Sequence, residues 1–378
     1  MKKSYPMARP HIGKKEEKYV LEVLRSGILS IGPKIEAFEK KFAKFVGSRY
    51  ACAVSSGTAG LHLALIAAGI KEGDEVITSP FSFIASANVI LYVGAKPVFV
   101  DVDPLTGNID PKKVEKAITK KTKAILPVHI FGQSAEMGAI MKIAKKHNLV
   151  VIEDACESLG ASHNAKMSGT FGQSGVFAFY ANKQMTTGEG GMIVTNDRVV
   201  DELCRSLRNQ GRAPDMQWLD HKYLGYNYRM DEMSAAVGLA QIEKIDFLIK
   251  KRQEIARWYE KELKRLDSLV EIPYTHPEAI HTWFVYVVRI NNPRTDRNKV
   301  IQDLAKKKVS SKPYLPSIHL FSFYKDRFGY EADDFPVSEK ISASVLALPF
   351  YIGLTRQDVR NIVEILGTTL QKYERIQK

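Results

Sequence analysis

The sequence predicts an α/β protein of two domains, the larger of which contains a mainly parallel sheet. The chain has 378 residues, too many for one simple core when a domain usually takes about 100–200. Up to about residue 245, short apolar strands alternate with helical patterns, an order typical of parallel sheets. From about Met230 a longer helical pattern replaces this alternation. We therefore predict a large domain over residues 1–245 and a smaller C-terminal α/β domain over 246–378.

The apolar segments of the large domain fit strands and helices in turn. Predicted strands lie over residues 51–56, 75–78, 96–100, 124–128, 149–152, 176–180 and 192–195. Predicted helices lie over residues 59–68 and 137–147. The segment 149–152 is apolar throughout, as in a strand buried on both faces, and it ends at Glu153-Asp154.

The C-terminal part begins with apolar residues at three- and four-residue steps, namely Ala235, Leu239, Ile242, Ile245 and Ile249. This spacing predicts one long amphipathic helix, or two helices end to end, that links the domains. A strand over 283–290, a helix over 298–308 and a terminal helix after Thr355 are predicted to follow.

The net charge of +13 favours an anionic ligand such as a phosphate ester, or nucleic acid. The basic runs, of which Lys306-Lys307-Lys308 is one, fit solvated faces of helices. No basic stripe interleaved with aromatic residues, as in RNA-binding sheets, is present. We therefore expect a small phosphate-bearing ligand and no nucleic-acid partner.

Location and metal content are predicted from what the sequence lacks. No long apolar run could span a membrane, and the basic start over residues 1–6 is not followed by the apolar core of a signal peptide, so a cytoplasmic protein is expected. The three cysteines, Cys52, Cys156 and Cys204, are far apart and match no metal spacing. We expect buried thiols, no disulfide and no metal site.

The first segment that carries chemistry is Ser55-Ser56-Gly57-Thr58-Ala59, between a predicted strand and a predicted helix. Hydroxyls and free N–H groups at the start of a helix form an anion site suited to a phosphate. Ser and Thr are also ordinary helix caps, so a cap without a ligand is the alternative.

The second is Asp154, at the carboxyl end of an apolar strand, where open α/β sheets bind ligands. A carboxylate there can pair with a protonated pyridine nitrogen and keep the ring electron-withdrawing. The alternative is a carboxylate that caps the next helix.

The third is Lys183, in a loop that contains Gly188, Gly190 and Gly191. A lysine held in a partly dry pocket loses its proton more easily and can attack an aldehyde. The alternative is a solvated lysine. A phosphate turn, a strand-end aspartate and a glycine-flanked lysine, in this order, together indicate pyridoxal 5′-phosphate (PLP). Motifs for phosphoryl transfer, dinucleotide binding and zinc hydrolysis do not occur in the sequence.

Over nearly its whole length the chain resembles the DegT family of nucleotide-sugar aminotransferases. The matching motifs are Gly32-Pro33 with Phe38-Glu39, Ser56 to Ala59, Phe81-Ser82-Phe83, Phe99 to Asp103, Glu153-Asp154-Ala155, Asn182-Lys183, Thr187 to Gly191, Gly225 to Met230, Lys312-Pro313-Tyr314, His319 and Ala347-Leu348-Pro349. The resemblance implies an aspartate-aminotransferase-like PLP-transferase fold with a mainly parallel seven-stranded sheet. It also implies a homodimer with shared active sites.

The resemblance implies a role for several residues. Lys183 would form the Schiff base, and Asp154 would pair with the pyridine nitrogen. The turn over residues 56–59, which contains Ser56, Gly57, Thr58 and Ala59, would hold the phosphate. Phe83 would stack on the ring, or else be a core aromatic, and Glu157 would lie by the opposite face.

The substrate side is implied less directly. Asn227 would reach the cofactor phosphate of the neighbouring subunit, and Tyr314 and His319 would lie near the sugar. A packed loop histidine is the alternative for His319. Arg229 is the candidate for the diphosphate, because the guanidinium fork suits it.

Two positions depart from the family pattern. Many relatives carry Ser, bonded to the cofactor phosphate, where this chain has Ala178. Glu157 stands where Gln or His is common.

The implied reaction transfers an amino group from L-glutamate, through pyridoxamine 5′-phosphate (PMP), to a nucleoside-diphosphate keto sugar, with a 4-keto-6-deoxyhexose preferred. The alternatives are a PLP-dependent sugar dehydratase and a non-catalytic PLP-binding regulator. A related dehydratase branch carries His where this chain has Lys183, and a regulator would be expected to lose Lys183 or Asp154.

Overall fold

The computed structural model describes residues 3–213 and 220–376. Its strands, in chain order, are β1 (Tyr50–Val54), β2 (Glu75–Thr78), β3 (Lys96–Phe99), β4 (Thr122–Ile125), β5 (Val150–Asp154), β6 (Ser162–His163), β7 (Lys166–Met167), β8 (Ser174–Ala178), β9 (Gly191–Thr195), β10 (Val270–Glu271), β11 (Ala279–Ile280), β12 (Tyr286–Ile290) and β13 (Val345–Leu348). Its helices are α1 (Lys14–Ser26), α2 (Pro33–Val46), α3 (Gly57–Ala67), α4 (Ala85–Tyr92), α5 (Pro111–Val114), α6 (Met137–His147), α7 (Arg198–Arg208), α8 (Glu232–Ile242), α9 (Ile245–Leu263), α10 (Arg297–Lys306), α11 (Ser322–Phe328), α12 (Pro336–Ser344) and α13 (Arg356–Ile376).

The largest sheet of the described chain has seven strands in the order β1-β9-β8-β5-β4-β2-β3. Its neighbours from β8 to β3 are parallel, and β9 alone runs antiparallel to both β8 and β1. This confirms the predicted mainly parallel sheet. Because β1, β5 and β8 point the same way, the chain leaves all three at one edge, where open α/β sheets bind ligands.

Helix α3 packs closely on this sheet because its sequence is almost entirely small and apolar. All but three of its eleven residues are buried. A Cβ added at Gly60 would lie 2.7 Å from Val176 Cγ1, so a larger residue there would push the helix off β8. The close packing brings the first turn of α3 to the edge at which β5 and β8 end.

A second sheet has the antiparallel order β10-β12-β13, and its buried side chains share one apolar core with those of α9 and α13. Tyr259 stacks on Tyr286 in its core, with ring centroids 4.8 Å apart. The predicted linking pattern forms two helices, α8 and α9, which meet near residue 244. Tyr5, near the N-terminus, exchanges backbone hydrogen bonds with Lys308 and Ser310 and is buried in this second core. The division at residues 245 and 246 stays a prediction.

None of the helices in the described ranges is both long enough and apolar enough to cross a membrane.

Candidate active site

A cleft of about 610 Å³ opens at the edge where β5 and β8 end. Its lining contains the three predicted pieces, the start of α3, Asp154 and Lys183. The other lining residues are Leu61, Ser82, Phe83, Ala85, Ser86, Val128, Cys156, Glu157, Ala178, Tyr180, Asn182, Glu189, Gly190, Phe284, Lys312, Pro313, Tyr314 and Leu315.

The start of α3 is both a capped helix end and a possible binding site for an anion, called here the anion seat. Ser56 is extended, and its Oγ accepts a hydrogen bond from Ala59 N–H at 3.0 Å, as the capping alternative predicts. The N–H groups of Gly57 and Thr58 belong to the first turn, which has no intrahelical acceptors, and both residues line the cleft. Ala59 contributes to the cap and does not line the cleft. The turn can therefore hold a phosphate while it remains capped.

Gly57 is required by the close approach of α3 to β8. A Cβ there would lie 2.7 Å from Ala178 Cβ and 2.8 Å from Cys156 Sγ, distances at which atoms must shift. A side chain at position 57 would therefore fill the anion seat or displace it. Ala178 therefore presents only a methyl group to this part of the cleft.

Asp154 ends β5 with its side chain buried and both oxygens held. Oδ2 accepts a hydrogen bond from Ser86 Oγ at 2.7 Å, and Oδ1 accepts one from Cys156 N–H at 3.1 Å. Because the Ser86 hydroxyl donates to Asp154, the Ser82 hydroxyl, 2.7 Å away, donates to Ser86. The carboxylate thus caps its own turn and also faces the cleft in a fixed orientation.

Lys183 is not a solvated lysine, because its side chain is 14% exposed. Its Nζ lies 3.5 Å from Glu157 Oε1 and 3.9 Å from the centroid of the Phe284 ring. Glu157 is buried, and its Oε2 accepts a hydrogen bond from Phe131 N–H at 2.9 Å. Burial raises the pKa of Glu157, while the charge of Lys183 opposes this shift.

The glycines after Lys183 let its loop press against the start of α3. A Cβ at Gly191 would lie 2.5 Å from the carbonyl oxygen of Ser56, so the backbones touch there. Gly188 and Gly190 have positive φ values of 86° and 154°. These residues therefore hold the lysine loop and the anion seat at a fixed distance.

Two further predicted residues lie at the mouth of the cleft. Phe83 is 61% exposed, so it is not a core aromatic and is free to contact a ligand. The Tyr314 hydroxyl accepts a hydrogen bond from Asn182 Nδ2 at 3.3 Å, and burial raises the pKa of Tyr314. The amide oxygen of the same side chain, Asn182 Oδ1, is buried and has no hydrogen-bond partner in the described chain.

Asn227 and Arg229 do not line the cleft of their own protomer. Asn227 is exposed and forms a backbone bridge with Asn209. Arg229 lines a separate cavity of about 370 Å³ beside Arg205 and Arg208, and it donates to Asn209 Oδ1 at 3.0 Å.

His319 is a packed histidine, as the alternative interpretation proposed. Its side chain is 0% exposed, and its Nε2 lies 3.0 Å from Glu339 Oε1. The Phe335 ring covers it at a centroid distance of 4.7 Å. This burial favours the packed alternative over the predicted contact of His319 with substrate.

The structure also adds residues that the sequence analysis missed. Ser86 orients Asp154, and Phe284 supports the Lys183 amine. A serine within the apolar helix three residues after Phe83 was a usable signal. No signal pointed to Phe284, which is 101 positions from Lys183 along the chain.

Away from the cleft, His163, His276 and Glu278 each offer a possible metal-ligand atom, and these atoms lie within 4.8 Å of one another. His276 Nδ1 already accepts a hydrogen bond from Glu278 N–H at 3.2 Å. The group joins the ends of β6 and β11 and has no part in the site described above.

The residues present fit PLP. The buried Asp154 carboxylate, the shielded Lys183 amine and the N-terminus of α3 line one cleft. A single Cβ added at position 57 would obstruct the cleft at the N-terminus of α3. Each of the three groups can meet one part of that cofactor, respectively the ring nitrogen, the aldehyde carbon and the phosphate.

Residues 10–367 match the model of the DegT/DnrJ/EryC1/StrS aminotransferase family. The chain belongs to this family. It is 41% identical to the GDP-perosamine synthase of Caulobacter vibrioides over 366 residues, which cover 96% of this chain and 98% of that one. Family membership makes it a PLP-dependent aminotransferase.

Solved structures of other aminotransferases support the family assignment. The aminotransferase PseC of Helicobacter pylori, involved in the biosynthesis of pseudoaminic acid, has a TM-score of 0.93 at 30% identity, covering 98% of this chain and 100% of that one. Spr1654 of Streptococcus pneumoniae, in its PMP form, has a TM-score of 0.94 at 26% identity, covering 99% and 100%. The predicted PLP-transferase fold and the predicted cofactor are thereby confirmed.

Proposed function

We propose that the chain transfers an amino group from L-glutamate to a nucleotide-linked keto sugar, with a 4-keto-6-deoxyhexose as the acceptor. The observation that carries the proposal is the meeting of Lys183, Asp154 and the start of α3 in one cleft. Similarity to a GDP-perosamine synthase supports the nucleotide-sugar part, because it extends over nearly the whole of both chains. The products would be an amino-sugar nucleotide and 2-oxoglutarate.

Lys183 would hold the cofactor covalently through Nζ. Once the amino donor displaces it, the free Nζ would take a proton from the substrate carbon and deliver it to the cofactor carbon, as general base and then general acid. Bound PLP supplies an electron-withdrawing ring that accepts the electrons left on the substrate carbon. Phe284 shields Nζ on one side, and Glu157 attracts its charged form. The free amine of Lys183 would therefore stay within the cleft while the amino group is taken from the donor and while it is passed to the acceptor.

Asp154 would hold a proton on the pyridine nitrogen. Ser86 Oγ and the Cys156 N–H each donate to one of its two oxygens, so the carboxylate is held in one orientation. The N–H groups of Gly57 and Thr58 would bind the phosphate at the start of α3. Phe83, exposed at the cleft, would stack on the ring.

The acceptor would enter beside Tyr314 and Lys312, which line the mouth of the cleft. Tyr314 offers a hydroxyl already oriented by Asn182, and Lys312 offers a positive charge for a phosphate. These two groups suit a polar, anionic substrate better than an apolar one.

We also propose a homodimer in which Asn227 and Arg229 complete the partner's site. Neither residue lines its own cleft, although the segment that contains them carries a family motif. Leu224, immediately before this segment, is 88% exposed. Further exposed apolar residues lie on and after α1, at Leu21, Leu24, Ile28, Leu29 and Ile31. An apolar surface of this kind is typical of a subunit interface.

The dimer is tested by mixing inactive variants. Lys183→Ala and Asn227→Ala subunits, refolded together, would regain activity if each cleft takes its lysine from one chain and its asparagine from the other. Light scattering would give the mass of the protein in solution and so show whether it is a dimer. A monomer with full activity, or no recovery in mixtures that do dimerise, would contradict shared sites.

The reaction is tested by adding L-glutamate to the yellow PLP-loaded protein. Bleaching is expected, and return of the band with a nucleotide-linked keto sugar would identify the acceptor. Lys183→Ala should lose both changes, while Lys120→Ala, at an exposed lysine outside the cleft, is the control. A band that glutamate leaves unchanged would favour another donor, a dehydratase or a regulator. Activity retained in Lys183→Ala would refute the assignment.

A further inference from the structure

The strongest feature outside the described machinery is a buried arginine behind Lys183. Arg252, on α9, is 4% exposed. Within the described ranges no carboxylate lies within 4.0 Å of it, so its charge has no acidic partner. Burial lowers the pKa of Arg252 to about 10, which still leaves it protonated at neutral pH. A buried charge of this kind is costly, and its retention calls for a function.

The Arg252 guanidinium donates hydrogen bonds to backbone carbonyl groups around Lys183. Arg252 Nη2 donates to Lys183 O at 3.1 Å. Arg252 Nη1 donates to Trp283 O at 3.1 Å and to Phe284 O at 3.2 Å. Phe284 is the residue whose ring supports the lysine amine. One rigid fork therefore fixes both the backbone of Lys183 and the ring under its Nζ.

Lys183 is consequently held on both sides of its Cα. Its N–H donates to Tyr180 O at 3.0 Å, and its carbonyl accepts from Arg252. Phe284 is held at its own N–H, which donates a hydrogen bond to Phe131 O at 3.0 Å. The planar arginine is the side chain that can serve three carbonyls at fixed angles, whereas a lysine would present one point charge.

We propose that Arg252 is a positioning residue that sets the place of the Lys183 amine through these three carbonyls. The proposal rests on the proposed role of Lys183. Arg252 does not line the cleft, so it acts through the lysine and not on the substrate.

The test compares Arg252→Met and Arg252→Lys with Arg289→Met in the PLP-loaded protein. Arg289 is a matched control because it also donates to backbone carbonyls, those of Pro104 and Leu105, but outside the cleft. A displacement of about 1 Å in a reacting group can cost about 10²-fold in rate. We expect bleaching by L-glutamate to slow by about 10–100-fold in Arg252→Met and by less in Arg252→Lys. Arg289→Met should stay within about twofold of the wild type.

A second readout does not depend on any substrate. The pH titration of the bound cofactor's visible absorbance should shift in Arg252→Met and not in Arg289→Met. The titratable groups that face Lys183, namely Asp154, Cys156, Glu157 and Tyr314, are unchanged in every variant. Arg252→Met also removes a positive charge beside the Lys183 backbone, so a shift reports a changed position of the lysine only if Arg252→Lys, which keeps the charge, shows it as well.

Wild-type titration and wild-type rate in Arg252→Met would overturn the proposal, as would equal losses in Arg252→Met and Arg289→Met. If Arg252→Met does not fold, Arg252→Lys decides, and an unchanged titration in that variant would also overturn it. Failure of Lys183→Ala to abolish the visible band would instead refute the role of Lys183, so the two failures can be told apart.

Discussion

Replacing Gly57 by alanine tests whether the close approach of α3 to β8 creates the phosphate seat. The new methyl carbon would lie 2.7 Å from Ala178 Cβ and 2.8 Å from Cys156 Sγ. The thiol can rotate, but the Ala178 methyl is fixed to β8, so the start of α3 must move. Overpacking of this kind costs about 1–3 kcal/mol, which corresponds to about 5–150-fold in an equilibrium constant. We expect PLP to bind more weakly by a factor in this range.

The dissociation constant is measured by titrating the apoprotein with PLP and following the visible absorbance, beside urea unfolding of the same apoprotein. Gly138→Ala is the control, since no atom lies within 4 Å of a Cβ at that position. Gly57→Ala combined with Ala178→Gly removes the closer contact and should restore most of the affinity. An unchanged dissociation constant and an unchanged unfolding free energy in Gly57→Ala would refute the reasoning.

Three more predictions concern single side chains. Ser86→Ala leaves Asp154 Oδ2 without its donor and should lower kcat by about tenfold, which corresponds to about 1.4 kcal/mol. Urea unfolding of the same variant is the control for a loss of stability. An unchanged kcat would show that Ser86 does not orient the carboxylate. Phe83→Ala should weaken PLP binding in the same absorbance titration with little loss of stability, because the ring is 61% exposed; a large drop in urea midpoint would show a core role. Glu243, paired with two lysines, has its pKa lowered to about 2, so it stabilises the fold above about pH 4.5 and loses this contribution as the pH falls towards 2. Glu243→Gln should therefore be less stable than the wild type in urea at pH 6, and a gap that persists at pH 2 would contradict this.

The part of the site that the sequence predicted comes from local rules. Apolar strands that end in polar residues placed Asp154 at a sheet edge, and the turn before an apolar helix placed Gly57 and Thr58 there. The glycines after Lys183 indicated a tight loop, which presses against Ser56. Each of these predictions depends on a few neighbouring residues and on the direction of parallel strands.

The missed part depends on packing between distant segments. Phe284 and Arg252 reach Lys183 from positions 101 and 69 residues away along the chain, and neither belongs to a motif. The burial of His319 depends on packing of the same kind, since it follows from Phe335 and Glu339, which come later in the chain. The contact of Tyr5 with the core beneath the second sheet likewise cannot be predicted from the spacing or periodicity of residues in the sequence.

The charges in the cleft bear on the proposed dimer. Its lining contains three carboxylates, Asp154, Glu157 and Glu189, but only two cationic side chains, Lys183 and Lys312. Lys183 is the residue that would be bonded to the cofactor, which removes it as a free cation for phosphate. A site for a phosphate and a diphosphate needs more positive charge than Lys312 and one helix N-terminus provide. The shared-site proposal would supply this charge from outside the lining, because it would bring Arg229 of the partner subunit to the cleft.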